Sequence, residues 1–397
     1  MNKVELLAPA GNLEKAKIAL LYGADAVYVG GKSFSLRARA SNFSVSEIEE
    51  LVEFAHGLNK KVYVTMNIIP HDNDFNHLVT YLKDLERIHV DAIIVSSLYI
   101  IKTAKEVAPL LEVHLSTQKS TTNVPGIKYY EKYGVSRVVL AREVTLDEMK
   151  YIKENTDIEL EVFIHGGMCA SYSGHCVLSN HMTNRDANRG GCAHSCRWNY
   201  TLVKNDQELP LNFNFGSKDM MAVRFIPSLI EMGIASLKIE GRMKSVYYLA
   251  CVVRAYRMLI DKYYEGALTN EYIEFIIKEI GKAENRETNV GFYEGIPGVS
   301  GQLYDNRDEI PTKEYVGMVL EYNEETKKAL IEQRNYLVVG DKVEFFGPKL
   351  ENTHFNIEKM VDFETGDLMD IARHPLQKFW LDVPFKVSKN DLLRKVQ

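Results

Sequence analysis

The chain has 397 residues, room for two or three domains, and its 46% hydrophobic and 26% charged content is that of a globular protein rather than a disordered or fibrous one. Its 54 acidic residues outnumber 48 basic ones, giving a formal charge of −6. That balance excludes the strongly basic character that advertises nucleic-acid binding by the whole chain, while leaving room for a local basic patch.

In chain order, apolar runs at 4–9, 26–30, 61–67, 92–96, 112–117, 137–141 and 160–165 read as strands. They are rich in Val, Ile and Leu without clean alternation, as strands buried on both faces of a parallel sheet are. Helical spacing fills 13–22, 44–56, 75–89, 99–107, 124–133 and 145–154, with Ser44 or Ser46 placed to cap the second helix and Gly134 just beyond the fifth. After an interruption, a strand at 236–240 leads into a helix at 245–262. Strand then helix, about eight times, predicts an α/β fold, a (β/α)8 TIM-like barrel over 1–290 with a cysteine-rich insertion at about 166–215 after the seventh strand. A doubly wound open sheet is the alternative; eight units favour closure, because an open sheet leaves two edges. From about residue 291 the texture changes. A Gly-rich stretch at 290–301 precedes short strand-like runs at 315–320, 329–332, 342–346 and 379–383, which predict a small β-barrel-like C-terminal domain.

No stretch is apolar for long enough to span a bilayer, and the start of the chain runs into its first strand without the apolar core of a signal peptide. The expected compartment is the cytoplasm, with no membrane partner. Thiols stay reduced there, so clustered cysteines point to metal or redox chemistry rather than disulfides. Four of the five cysteines fall at Cys169, Cys176, Cys192 and Cys196, with six, fifteen and three residues between them. Soft thiolates suit iron–sulfur clusters and zinc. Zinc ribbons use shorter paired spacings, so an iron–sulfur cluster is favoured and zinc is the alternative. Neighbouring Gly166, Gly167, Gly174, Gly190 and Gly191 let backbone approach such a cluster. Cys251 reads as a core thiol on the last barrel helix, and as the rival to Cys196 for the fourth ligand.

The run EVFIHGGMCASYSGHCVLS at 161–179 resembles the signature of the collagenase-like peptidases, unassigned peptidase family thirty-two. LAPAGNLE at 7–14, DAVYVGG at 25–31 and KIEGRMKS at 238–245 are similar to the same family, and the likeness spans most of the chain. NRDANRGGCAHSCRW at 184–198 resembles most the branch that acts on tRNA. The resemblance implies oxygen-independent hydroxylation of the wobble uridine to 5-hydroxyuridine. Prephenate is then the implied hydroxyl source, a 4Fe-4S cluster sits on four cysteines, and a second family member or an electron donor is a possible partner. Other branches hydroxylate a ribosomal RNA cytidine or a ubiquinone precursor.

Outside the cysteines, His165 and Glu240 are the candidate catalytic groups, each at the end of a barrel strand where barrel enzymes carry their chemistry. Lys238 and Arg242 alternate with Glu240; three charges facing inward call for pairing or a ligand, and the two cations suit a dianion such as prephenate. Tyr28, Asn67, His114, Ser116 and Gln118 are candidates to line the mouth, and Arg37 and Arg39 to bind an anion from the loop after the second strand. Arg185, Arg189, Arg197 and Trp198 interleave cations with an aromatic ring, which suits RNA phosphates and bases; balancing thiolate charge is the alternative use of those arginines. Neither His-Glu-x-x-His nor Gly-x-Ser-x-Gly is present, so peptidase chemistry has no independent sequence support. The remaining rival is an RNA-binding factor whose cluster is structural.

Overall fold

The computed structural model describes residues 3–36, 42–283, 286–303 and 313–396. Seven parallel strands follow one another with helices between them: β1 (Glu5–Pro9), β2 (Ala26–Gly30), β3 (Lys61–Met66), β4 (Ala92–Val95), β5 (Glu112–Leu115), β6 (Arg137–Val139) and β7 (Glu159–Gly166). The helices are α1 (Leu13–Leu21), α2 (Val45–Gly57), α3 (Leu78–Arg87), α4 (Leu98–Val107), α5 (Val124–Glu131) and α6 (Leu146–Glu154). Local chemistry starts most of them. Asn12 and Asn123 accept the orphan amides of α1 and α5, and Ser44–Glu47 and Thr145–Glu148 form reciprocal capping boxes on α2 and α6. The helix expected from residue 75 begins instead as a 3-10 turn, Asp72–His77, because Asp74 accepts the His71 amide at 2.6 Å and tightens the entry to α3.

After β7 the chain leaves the barrel. The insertion contains α7 (Leu178–Thr183), an exposed hairpin of β8 (Tyr200–Lys204) and β9 (Gln207–Phe213), and β10 (Asp219–Met221). β10 returns antiparallel to the end of β7, with Met220 opposite Gly166. α8 (Ile226–Glu231) then leads to the eighth barrel strand, β11 (Ser236–Ile239). β11 pairs in parallel with both β7 and β1, Ser236 lying opposite Glu161 and Glu5. That double pairing closes the barrel and removes the edges an open sheet would expose. α9 (Val246–Tyr264) and α10 (Asn270–Gly281) complete the outer layer. No helix among the described residues is long and apolar enough to cross a membrane.

Strand alternation divides the side chains. Val27, Val29, Ile93 and Val113 pack outward under the helices, while Leu7, Ala26, Tyr28, Tyr63, Ala92 and Ile94 fill one side of the interior. The other side of the interior is ionic. Beyond residue 313 an eight-stranded antiparallel sheet wraps its own core of Val316, Ile331, Phe345, Phe379 and Leu393. It contains the four expected strands and also Leu392–Lys395, a central strand between Lys342–Phe346 and Tyr315–Asn323. The sheet docks on α9: Arg254 donates to the carbonyls of Gly347 (2.9 Å) and Leu350 (3.0 Å), and Tyr22 of the first turn beyond α1 donates to Asn390 O at 2.8 Å.

Candidate active site

At the C-terminal rim of the barrel, roofed by the insertion, lies a cavity of about 760 Å3. Its floor is the top of the ionic interior. Lys238 of β11 donates to Glu161 of β7 at 2.6 Å, and both are buried. Glu161 also faces Arg137 of β6 at 3.4 Å, and Arg137 continues to Glu5 (2.6 Å) and Glu159 (2.7 Å). Tyr63 donates to Glu5 at 2.6 Å and Ser236 does so at 2.8 Å. Burial alone would raise the Glu161 carboxyl, but the Lys238 and Arg137 charges hold it below the usual range. The Lys238 ammonium also lies over the rings of Tyr28 (4.5 Å) and Phe163 (5.5 Å).

Above this layer stand Tyr28, Glu240 and Arg142. Tyr28 donates to Glu240 Oε2 at 3.1 Å; burial and the Glu240 carboxylate keep the phenol protonated. Arg142 lies over the Phe163 ring at 4.1 Å, donates to Gly167 O at 3.2 Å and faces Glu240 at 3.8 Å. Six Arg and Lys side chains line the described cavity (Arg142, Arg197, Lys238, Arg242, Lys244 and Arg286) against two carboxylates, Asp219 and Glu240. An acidic chain therefore carries a locally electropositive cavity, the setting an anionic ligand requires.

The insertion supplies the opposite wall. Gly166 turns the chain out of β7 at φ +107°, where an added Cβ would strike the Glu240 carbonyl. Cys169, Cys176, Cys192 and Cys196 all line the cavity, and none is in a disulfide. Burial, followed by the charges of Cys169, Cys192 and Cys176, pushes the Cys196 thiol up to about 11. Asn188 donates to Cys176 O at 2.9 Å and Arg185 to Cys192 O at 3.3 Å, which ties the cysteine-bearing loops together. Among the described residues, no three His, Cys, Asp or Glu side chains close around a single ion position. Four soft donors beside Arg197 and Arg142, with Gly167, Gly174 and Gly190 admitting backbone, form a donor set that fits a multi-iron cluster carrying negative charge.

A model of peptidase family U32 matches residues 11–302, and one of the family's C-terminal domain matches residues 311–394. The chain belongs to peptidase family U32. Within the family it is 48% identical to the tRNA hydroxylation protein P1 of Bacillus subtilis, over 99% of this chain and 95% of that protein. It is 40% identical to the 23S rRNA 5-hydroxycytidine C2501 synthase of Escherichia coli, over 66% of this chain and 40% of that one. It is also 29% identical to the Collagenase of Porphyromonas gingivalis, over 94% of this chain and 95% of that one.

In this U32 barrel Tyr28, Asn67, Ser116, Gln118, Lys238, Glu240, Arg242, Arg197 and the four cysteines all meet at one cavity. Other expected residues go elsewhere. His165 does not line it: Lys238 pairs with Phe163 but Ile239 with His165, so a bulge at Ile164 rotates His165 outward. Its ring packs against Tyr248 and Tyr256 of α9, and burial with the nearby Lys244 charge lowers its pKa to about 3, leaving it neutral. His114 lies a layer below the mouth, fully buried, edge-on to Tyr63 at 4.9 Å. β5 begins at Glu112, so the rim falls to Ser116 and Gln118 instead.

Arg242 lines the cavity but turns its guanidinium to the loop after β2, donating to Ser35 Oγ (2.9 Å), Leu36 O (2.8 Å) and Asn42 Oδ1 (3.0 Å). Gly30 leaves the space this requires. Arg37 and Arg39 lie outside the described residues. Arg189 clamps the insertion to the loop after β3, donating to Asp74 (3.0 Å) and Ile69 O (2.9 Å). Arg197 faces Asp219 at 3.6 Å, and Trp198 is partly exposed beside it. Cys251 is buried under Arg394 at 3.6 Å, at the junction with the C-terminal domain rather than at the cavity. Arg142 is a cavity residue not expected from the sequence. It stands one residue past the expected sixth strand, where the rim argument applied to the other strands would have found it.

Proposed function

We propose that this chain is a tRNA-hydroxylating enzyme. It converts the wobble uridine to 5-hydroxyuridine without molecular oxygen, with prephenate as the hydroxyl source and a 4Fe-4S cluster on Cys169, Cys176, Cys192 and Cys196. The observation that carries this reading is a single cavity in which four thiols face an electropositive, partly aromatic floor. The Bacillus subtilis relative is named for tRNA hydroxylation and the Escherichia coli one for making 5-hydroxycytidine in rRNA, which supports RNA hydroxylation as the broader statement.

A bound cluster supplies one-electron redox chemistry beside the substrate. The rest falls to the chain's own side chains. Arg142 offers a planar fork to a carboxylate, and Lys238 adds positive charge at the floor, which together suit a dianion. The buried rings of Tyr28 and Phe163 hold the Lys238 and Arg142 cations over their faces, which fixes both charges at the floor. Glu240 accepts from Tyr28 and faces Arg142, fixing both donors before the ligand arrives. Lys244, Arg286 and Arg197 border the mouth, where RNA phosphates would lie. Prephenate gives up its ring hydroxyl as hydroxide while losing CO2, which leaves an aromatic pyruvate; joining that hydroxide to C5 releases the C5 proton and two electrons, so a two-electron acceptor completes the balance, a role for a second family member or a separate electron carrier.

The test is mass spectrometry of tRNA nucleosides from a strain lacking the gene. Loss of 5-hydroxyuridine, restored by the wild type but not by Cys169→Ala, is expected. Unchanged 5-hydroxyuridine together with peptide cleavage by the purified protein would replace this reading with a peptidase. A colourless anaerobic preparation holding stoichiometric zinc would remove the cluster from it.

A further inference from the structure

A second cavity, of about 460 Å3, adjoins the first across the 168–170 segment and Phe215, which line both. Its walls combine two kinds of side chain. Phe213, Phe215 and Phe292 supply ring surfaces, while Asn289, Gln302 and Ser217 supply polar groups. Phe215 is 47% exposed on the divide. It is nevertheless held in place, with its ring 5.1 Å from Phe213 and 5.4 Å from Tyr200. A large aromatic kept rigid and in water is the arrangement of a stacking platform rather than of a core residue.

The polar groups are also fixed. Asn289 Oδ1 accepts from Gly291 N at 3.0 Å, which orients its amide. A Cβ on Gly301 would come within 3.0 Å of the amide nitrogen, so glycine there leaves that end room. Ser217 Oγ is buried with no hydrogen-bond partner among the described residues. A buried hydroxyl in that state is a standing invitation to a polar ligand atom. Ring faces with amide and hydroxyl groups at their edge match a heteroaromatic base, which presents a flat apolar face and an edge of alternating donors and acceptors. The cavity also falls in the size range of small-molecule sites.

We propose that this second cavity takes an unstacked nucleobase adjacent to the one being modified. Phe215 would stack on it, and Gln302, Asn289 and Ser217 would read its edge. The inference rests on the RNA reading above and adds to it a source of sequence selectivity. Successive bases of one splayed strand would enter the two cavities on either side of the Cys169 segment.

The experiment measures binding of anaerobically purified full-length protein to anticodon stem-loop RNAs that carry an abasic site on one side or the other of the target uridine. One of the two abasic RNAs should bind roughly tenfold more weakly, the scale of one lost base–aromatic stack. Phe215→Ala should lose a similar factor on intact RNA and little more on that abasic RNA, whereas Phe215→Trp should retain binding. Gln302→Leu should weaken intact RNA but not the abasic one. Coupling of this kind identifies the partner pair. Equal binding of all three RNAs, or losses that simply multiply, overturns the base subsite while tRNA hydroxylation by the wild type stands. Failure of the wild type to bind any of these RNAs overturns both readings.

Discussion

Glu161→Gln tests the ionic interior directly. The substitution keeps volume and removes one charge from a fully buried site. Lys238 then loses the carboxylate 2.6 Å from its ammonium, while Arg137 keeps Glu5 and Glu159. Stranding a buried cation by deleting its partner costs about 3–5 kcal/mol. With about 2.1 cal/mol/K of unfolding entropy per residue, a barrel unit of roughly 280 residues changes by about 0.6 kcal/mol per degree, so the melting temperature should fall by about 5–8 °C. Glu161→Gln with Lys238→Met removes both charges and should recover most of that loss. The pH dependence has a definite sign. Because Lys238 and Arg137 overcome burial to hold the folded carboxyl low, its contribution is complete above the ordinary carboxylate pKa and fades as pH falls through the folded value. The gap between wild type and Glu161→Gln should therefore narrow in acid. Thermal unfolding by circular dichroism between about pH 2.5 and 8 measures all three quantities. A fall below about 2 °C at neutral pH, or a double variant worse than the single one, would refute the reasoning from buried charge.

Three other outcomes follow from the same geometry. Cys196→Ser should abolish the brown absorbance and iron content of anaerobically purified protein, whereas Cys251→Ala should keep both, since that thiol lies under Arg394 away from the cavity. Arg142→Met should raise KM for prephenate by roughly ten- to a hundredfold, the scale of a lost charge-assisted hydrogen bond, and normal prephenate saturation would exclude Arg142 from the anion site. His165→Phe should flatten the acid limb of stability: the imidazole is buried neutral with a folded pKa of about 3, so wild-type stability is complete above about pH 6.5 and falls by up to about 1.4 kcal/mol per pH unit below it. A parallel pH profile in the variant would show that His165 is not buried neutral.

Much of the architecture was legible in local patterns. Apolar runs and capping residues reflect periodicities of two and 3.6 that depend only on nearby chain. Ser44 and Glu47, or Thr145 and Glu148, form their capping boxes within one turn, so the starts of α2 and α6 are written locally. The clustering of Cys169 through Cys196 within one insertion was equally plain. The strand at Leu392–Lys395 was not, because a central position in a sheet is conferred by distant partners, here Lys342–Phe346 and Tyr315–Asn323.

Side-chain destinations at the site belong to the same class. Alternation alone points His165 into the barrel, but its neighbour strand skips Ile164, and that bulge sends the ring to α9. Arg242 has the charge and position of an anion ligand, yet Ser35, Leu36 and Asn42 take up its guanidinium. Arg142 comes to lie over Phe163 because β6 ends at Val139, three residues earlier, and the chain there passes over the rim. The four cysteines were thus found by spacing alone, as donors grouped along the chain. That they share a cavity with Arg142 and Lys238, while His165 and Cys251 face away, was settled by barrel closure and strand register, which join residues as distant along the chain as Glu5 and Ser236.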